Sequence, residues 1–545
     1  MNQRSKHRLI VSGFSILVSL MVLTCITPSL KVLYSKTISE QSVSVQVIGA
    51  GEAGASELWI ATDPMYYNLS TVLDREDNVI NGSCEFRLAK DWGYGYDFLI
   101  SYGENIGSEI HISYLPFGNP CLLFYRFAYA GKIRLSTDTQ SETFSLYQDI
   151  PGILEYPLPV SWSTSVGFTF LRAVFFLLFF AISFFFLRKL EFKPVIENAA
   201  RDPSLDLVRA VAAFLVVAVH SFLASGYYDL PLEAEWRTVI LTALRWVCAC
   251  CNCLFLLLTG SLCRKRDSFR KTVAALIPLF ITFYAVIAIK VVLIDFAWKK
   301  SITALEVIRK IVSTEIQWYL QMYAGIALLT PFLNPYWNNS TMQRKILILL
   351  VLLCLVTLGG ITGNFIPSYC MGIWPFVYYF IGAFLAEYRT EARKSWLVLL
   401  LLLLIGLETL YTITFANGNK FSWSLFGGGG NGENHALPLI ASSMLLFILL
   451  KSIHLHNKWV IKTLRSVSSN AFGIYLFSVY ITDGLVYPFF QRNYKDPLSF
   501  AKIQIIPLIC SFCLAWVLSA FIYQPLSKWA KNTISRIAVF QQDTL

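Results

Sequence analysis

The sequence predicts an all-α polytopic membrane protein, a block of about ten helices plus two N-terminal spans, carrying a small extracytoplasmic β-rich domain. Three observations predict it. Of the 545 residues, 55% are hydrophobic and only 14% charged, against roughly 25% charged in a soluble domain. Mean hydropathy is +0.55, which excludes a cytosolic enzyme, a disordered chain and a fibrous repeat. Apolar runs of about 20 residues, the length that crosses a bilayer, recur along the chain, and only residues 31–163 interrupt them with short alternating runs.

Residues 1–30 open with Arg4, Lys6, His7 and Arg8 and turn apolar from Leu9 to Leu30. A cleaved signal peptide has an apolar stretch of about 7–15 residues and a small-residue cleavage site. This run is longer and ends Thr27-Pro28-Ser29-Leu30-Lys31, so it reads as an uncleaved membrane anchor.

Residues 31–163 hold alternating runs at Val43–Ile48, Leu58–Ala61, Phe98–Ser101, Ile110–Tyr114 and Lys132–Leu135, punctuated by Gly, Asn, Asp and Pro. That is the pattern of strands in a small sandwich. Its aromatic residues, Trp59, Tyr66, Tyr67, Trp92, Tyr94 and Tyr96 among them, read either as a β core or as a binding surface.

Residues 164–188 form a second span, with the apolar run Phe168–Leu187 closed by Arg188 and Lys189, and residues 189–203 a cytoplasmic hinge. Residues 204–530 contain ten further spans, at 205–225, 238–261, 272–297, 316–334, 345–363, 371–387, 396–415, 436–453, 469–488 and 503–524, before a cytoplasmic tail at 531–545. With the N-terminus inside, Lys and Arg of the inner segments outnumber those of the short outer loops by about two to one, as positive-inside sorting requires. Both termini then face the cytoplasm, residues 31–163 face outward, and the protein belongs in the plasma membrane as a multi-pass chain.

The net charge of +11 follows from that sorting and does not indicate a nucleic-acid partner. In the outward domain Cys84 and Cys121 are candidates for a disulfide, which an oxidising compartment would permit. Cys248, Cys250, Cys251 and Cys253 lie in an apolar run with no His or carboxylate beside them. Zinc sites space their ligands more regularly, so these cysteines read as packing, and no metal is expected.

Ionisable groups inside the membrane are costly and mark function by default. The first span of the block carries Asp206, Arg209 and His220. Arg209 and His220 are eleven residues apart, which is three turns plus about 20°, so they share one helix face about 16 Å apart along the axis. Asp206, one turn before Arg209, is placed to pair with it. Histidine takes and returns protons near neutral pH. A deep His in line with an anion-binding Arg suits a general base serving a phosphate-bearing donor. The cluster Arg264, Lys265, Arg266, Arg270 and Lys271 reads either as topogenic charge or as a site for a polyanionic donor. Arg245, Lys290, Glu315, Trp318, Tyr319 and Tyr323 are candidates to line a cavity.

These residues resemble the acyltransferase-3 family of integral-membrane O-acyltransferases. Ser204-Leu205-Asp206-Leu207-Val208-Arg209 through His220 is similar to its opening helix, and Asn252–Gly260 to its Pro-x-Phe-Phe-x-x-Ser-Gly segment. Lys271 through Pro278 resembles its basic stretch ending in Ile-Pro, Gln317–Leu333 its Trp-Tyr-Leu…Pro-Phe-Leu segment, and Phe472–Leu476 its Gly-Ile-Tyr-Leu. The similarity covers residues 204–524, with order and spacing in agreement.

The resemblance implies transfer of an acyl group, usually acetyl, from cytoplasmic acyl-CoA to a hydroxyl of a cell-surface polysaccharide or lipid-linked glycan. It implies catalytic roles for His220 and Arg209, with Asp206, Arg264, Arg266, Arg270 and Lys271 toward the donor. Acetyl-CoA is then a co-substrate, no cofactor stays bound, and membrane lipid surrounds the spans. The chain departs from the family where a second basic residue of the Arg-x-x-Arg region falls at Ala274 or nearby. It departs again at Ser478, where a His often follows Gly-Ile-Tyr-Leu-x; that leaves His220, apart from His435 at an outer loop, as the block's candidate catalytic histidine. A polytopic transporter or exporter of a glycan or lipid-like substrate is the alternative. That architecture shows internal repeats and paired interrupted helices, and the two halves of the block show no clear repeat.

Overall fold

Alternation puts Val43, Val45 and Val47 of strand β1 (Gln41–Gly49) on one face, and these three are buried while Ser44 and Gln46 between them are not. The following strands are β2 (Leu58–Ala61), β3 (Thr71–Asp74), β4 (Asn78–Asn81), β5 (Cys84–Arg87), β6 (Trp92–Gly95), β7 (Phe98–Ser101) and β8 (Glu109–Tyr114). Then come β9 (Cys121–Arg126), β10 (Lys132–Thr137), β11 (Ser141–Ser145) and β12 (Gly152–Pro157). They form a seven-stranded sheet, β11-β10-β1-β8-β5-β4-β3, and a five-stranded sheet, β12-β9-β2-β7-β6. Val45, Ile112, Ile133 and Leu135 of the first and Leu58, Ile60, Leu99 and Phe124 of the second share one buried core.

This computed structural model describes residues 37–61, 71–74, 78–81, 84–87, 92–95, 98–188, 192–195, 201–297, 317–359, 366–416, 420–421, 434–491 and 505–536, less single residues and pairs within them, together with scattered positions in 12–34 and 303–309. The chain divides into two units, Thr27–Leu178 and Met1–Ile26 with Phe179–Leu545. The expected strands are present at β1, β2, β7, β8 and β10. Of the candidate pair for a disulfide, Cys121 stands on β9 with its thiol free, and Cys84 lies on β5 in the other sheet, its side chain outside the described residues. Tyr66 and Tyr67, and the side chains of Trp92, Tyr94 and Tyr96, also lie outside the described residues.

The long apolar helix α1 (Trp162–Arg188) occupies the second expected span. Each of the ten expected spans of the block carries a helix. These are α2 (Pro203–Ala224), α3 (Trp236–Cys263), α4 (Phe269–Ala297), α5 (Trp318–Asn338), α6 (Met342–Gly359), α7 (Trp374–Glu387), α8 (Lys394–Ala416), α9 (Leu437–Lys451), α10 (Lys458–Ile481) and α12 (Ile505–Leu518); the short α11 (Tyr487–Gln491) follows α10, and α13 (Gln524–Ser535) ends the described chain. Eight helical segments among the described residues are long and apolar enough to cross a membrane, and the chain is a multi-pass membrane protein. π-Helical stretches at Thr482–Val486 and Ser519–Tyr523 join α10 to α11 and α12 to α13. Such bulges interrupt the regular ladder and frequently mark functional regions.

Helix α2 packs against both α3 and α10. Helices α3 and α7 touch backbone to backbone. A Cβ at Gly260 would meet the Tyr379 carbonyl oxygen at 1.8 Å, and one at Gly382 would meet that of Leu257 at 1.9 Å. Small residues permit this approach where helices pack without a hydrophobic driving force between them. The expected hinge is in part a strand: β13 (Phe192–Pro194) pairs antiparallel with β14 (Tyr388–Thr390), and the Val195 amide donates to the Glu387 carbonyl at 2.8 Å. The Glu387 carboxylate pairs with Lys345 and accepts from the Trp337 indole at 3.1 Å.

Candidate active site

Helix α2 starts cleanly. Pro203 occupies its first turn, and the Asp202 carboxylate accepts from the Ser204 amide at 2.9 Å as a side-chain cap. The cap sets the register that aims Arg209 and His220.

The expected pairing of Asp206 with Arg209 is corrected by the structure. Asp206 takes a two-pronged bond from Arg201, Nε at 3.0 Å and Nη2 at 2.6 Å. Arg201 lies in the loop before the helix, free of helical constraint, and brings its planar fork onto the carboxylate. Ser468 of α10 joins Arg209 to the carboxylate: its hydroxyl donates to Asp206 Oδ1 at 2.7 Å, and Arg209 Nη1 donates to Ser468 Oγ at 3.4 Å. Arg209 is therefore held at one remove from Asp206 and keeps guanidinium donors for another anion. Neither Ser468 nor Arg201 stands out in the sequence, since serine is common in membrane helices and Arg201 reads as topogenic charge.

Three turns along α2, His220 Nδ1 lies 3.0 Å from Ser478 Oγ of α10. The Ser478 hydroxyl donates to the Tyr475 carbonyl at 2.9 Å. A hydroxyl has one proton to give, and here the backbone takes it. With that proton on the Tyr475 carbonyl, Ser478 accepts from Nδ1–H, which is the tautomer whose Nε2 is the proton acceptor.

Helix α5 brings aromatic groups to the same region. Tyr319 meets Tyr475 edge to face at 5.5 Å and Phe255 at 6.1 Å. Tyr323 lies within electrostatic reach of both Arg209 and Arg266. Trp318, expected to line a cavity, is instead 52% exposed on the helix exterior. Lys290's side chain and Glu315 lie outside the described residues.

The basic turn between α3 and α4 is fastened by α5. Asn334 Nδ2 donates to the carbonyls of Cys263 at 2.9 Å and Arg266 at 2.6 Å, and Asn338 Nδ2 to that of Arg264 at 3.1 Å. Tyr379 of α7 donates to Asn334 Oδ1 at 2.9 Å, which fixes the amide's orientation. Arg264 folds back onto the Ser261 carbonyl at 2.5 Å, Arg266 stays exposed, and Arg270 and Lys271 stand in the first turn of α4.

Arg245 is 2% exposed and is boxed by aromatic rings. Its guanidinium lies 4.5 Å from the Phe421 ring centroid and 5.2 Å from that of Trp246, and Nε donates to the Tyr228 hydroxyl at 3.2 Å. It belongs to a packed cluster apart from Arg209. Cys248, Cys250, Cys251 and Cys253 are buried within the main helical core.

A comparison with curated proteins finds no match. A family model for an acyltransferase domain matches residues 202–538, from the Asp202 cap of α2 to just beyond α13. Matched over that length, the chain belongs to the acyltransferase-3 family and is a membrane acyltransferase.

Proposed function

We propose that this protein transfers an acyl group, acetyl first among the candidates, from cytoplasmic acyl-CoA to a hydroxyl of a surface polysaccharide or lipid-linked glycan. The observation that carries the reading is the His220–Ser478–Tyr475 chain, which leaves Nε2 of His220 as a proton acceptor deep in α2. His220 takes the proton from the acceptor hydroxyl as its oxygen bonds to the acyl carbonyl carbon. The thioester C–S bond then breaks, and the proton passes to the departing CoA sulfur. Arg209 and Arg266 hold donor phosphates, with the turn at Arg264–Arg266 kept in shape by Asn334 and Asn338.

In this reading the basic turn faces the cytoplasm, residues 31–163 face outward, and the plasma membrane is the site of action; the bias of Lys and Arg supports it. The test is reconstitution of the full chain with radiolabelled acetyl-CoA and a membrane fraction carrying surface glycans. Label should reach glycan with the wild type and fall by about 10²–10⁴-fold with His220→Ala, the range of a lost general base. Wild-type transfer by His220→Ala removes the catalytic assignment, and glycan flux without acetyl-CoA favours the exporter.

A further inference from the structure

The two sheets of the β-rich unit have outer faces of opposite character. On the seven-stranded sheet, the positions between the core residues are Ser42, Ser44, Gln46, His111, Ser113 and Arg134, all polar. That is what an antiparallel sheet shows to water. On the five-stranded sheet, the outer positions carry the buried Ile100 and Leu123 and, around them, a set of rings. Trp59 of β2 meets Phe98 of β7 at 5.6 Å, Tyr125 of β9 at 5.9 Å and Phe127 at 5.5 Å. Phe98 meets Tyr125 at 5.7 Å, Tyr125 meets Phe127 at 5.3 Å, and Phe127 meets Tyr129 at 6.3 Å.

None of these rings belongs to the fully buried core, and Tyr129 is 60% exposed. Phe98 and Phe127 pack against the core, whose inner face is filled by Leu58, Ile60, Leu99 and Phe124, while Trp59, Tyr125 and Tyr129 stand outside it.

Charge and hydrogen bonding narrow what covers such a face. Glu57 and Glu155 share it with the rings: the Trp59 indole donates to Glu57 Oε2 at 3.0 Å, and Glu155 stands exposed on β12 two residues beyond the exposed Ile153. Backbone bonds from Glu57 N to the Tyr129 carbonyl, at 3.0 Å, and from Gly131 N to the Glu57 carbonyl, at 2.8 Å, set Tyr129 beside that carboxylate. Carboxylates repel an anionic lipid surface. They accept well from hydroxyl groups, and ring faces take up C–H surfaces. A sugar offers both at once, hydroxyls at its rim and C–H groups on its faces.

We propose that the outer face of the five-stranded sheet, centred on Trp59, Tyr125 and Tyr129, is a binding platform for a neutral oligosaccharide chain. Extended sugar chains lie along the rings, with hydroxyls directed to Glu57 and Glu155. The proposal stands on the sheet itself and does not depend on acyl transfer by the helical block.

The test uses the full-length protein in neutral detergent on an array of immobilised neutral oligosaccharides, chitohexaose and cellohexaose among them. The wild type should bind at least one. Tyr129→Ala, at an exposed ring, should weaken that binding by about tenfold, and Tyr125→Ala by at least as much. Ser44→Ala and Arg134→Ala on the opposite sheet should leave it unchanged. Thermal unfolding of each variant identifies loss of binding through misfolding, and Tyr129→Ala is the deciding variant if Tyr125→Ala unfolds early. Absence of array binding by the wild type, or equal binding by a folded Tyr129→Ala, overturns the proposal. So does concentration-dependent dimerisation abolished by Tyr129→Ala without any bound sugar, which would assign the face to a second copy of the chain.

Discussion

The Ser478 hydroxyl lies 3.0 Å from His220 Nδ1 and bridges two helices whose contact residues are 258 apart in sequence. Its own proton is committed to the Tyr475 carbonyl. Ser478→Ala removes the group that holds the ring but leaves the base. A net hydrogen bond is worth about 1 kcal/mol, so kcat should fall by roughly fivefold, far less than with His220→Ala. Ser478→Thr keeps the hydroxyl and should recover most of the rate. Acetyl transfer rates of the three variants at one pH check the ordering.

Asp206 separates two arginines, Arg201 at 2.6 Å directly and Arg209 through Ser468. Asp206→Asn removes the charge while keeping the shape. Charge-assisted hydrogen bonds contribute about 1.5–3 kcal/mol, so the variant should unfold at a measurably lower temperature in detergent. Arg201→Ala should show a smaller loss, because its side chain is 55% exposed. Thermal unfolding followed by tryptophan fluorescence gives both values.

Asn334 holds the Cys263 and Arg266 carbonyls and is itself oriented by Tyr379. Asn334→Ala should loosen the basic turn and raise KM for acetyl-CoA several-fold, with a smaller change in kcat. Arg266→Ala should raise KM as well, and its effect should shrink as ionic strength rises, since salt screens exposed charges. Initial rates across a salt series separate the two variants.

Gly260 lies so close to Tyr379 that an added methyl group would stand 1.8 Å from a backbone oxygen. Backbone cannot yield as a flexible side chain can. Gly260→Ala should push α3 from α7 and destabilise the helical block by about 1–3 kcal/mol, the range for overpacking. Gly325, with open space around its would-be Cβ, serves as the control, and Gly325→Ala should unfold at or above the wild-type temperature.

Burial, and then the charge of Glu155, push the Cys121 thiol above its ordinary pKa of 9.0. The thiolate is the reactive form, so Cys121 should be alkylated more slowly at pH 8 than an open thiol. Glu155→Gln removes the second cause and lowers the pKa toward its usual value, so alkylation should quicken while burial still holds it below the open-thiol rate. Mass spectrometry of the tryptic peptide after timed maleimide exposure reads the difference.

Much of the architecture is legible in the sequence because long apolar runs permit few alternatives: each expected span of the block carries a helix, and β2 and β7 fall at Leu58–Ala61 and Phe98–Ser101 as expected. The shared face of Arg209 and His220 follows from helical period alone. What completes the site is not legible, for a consistent reason. Ser468, Ser478 and Asn334 act across 259, 258 and 68–71 residues of sequence, and a polar residue in an apolar run does not declare its partner. Local spacing pairs Asp206 with Arg209 and cannot weigh a competitor arriving from the preceding loop. Arg245 reads as a cavity residue along the chain, but the Phe421 ring that encloses it comes from between α8 and α9.

The pairing of Phe192–Pro194 with Tyr388–Thr390 determines where this chain can be spliced. A linker knitted into its neighbour by main-chain bonds is part of the catalytic block's architecture, whatever precedes it. A chimera that exchanges the N-terminal module must therefore enter upstream of Phe192. Joined at Pro203, after the strand, it would leave the Tyr388–Thr390 edge bare, an adhesive seam inviting foreign strands.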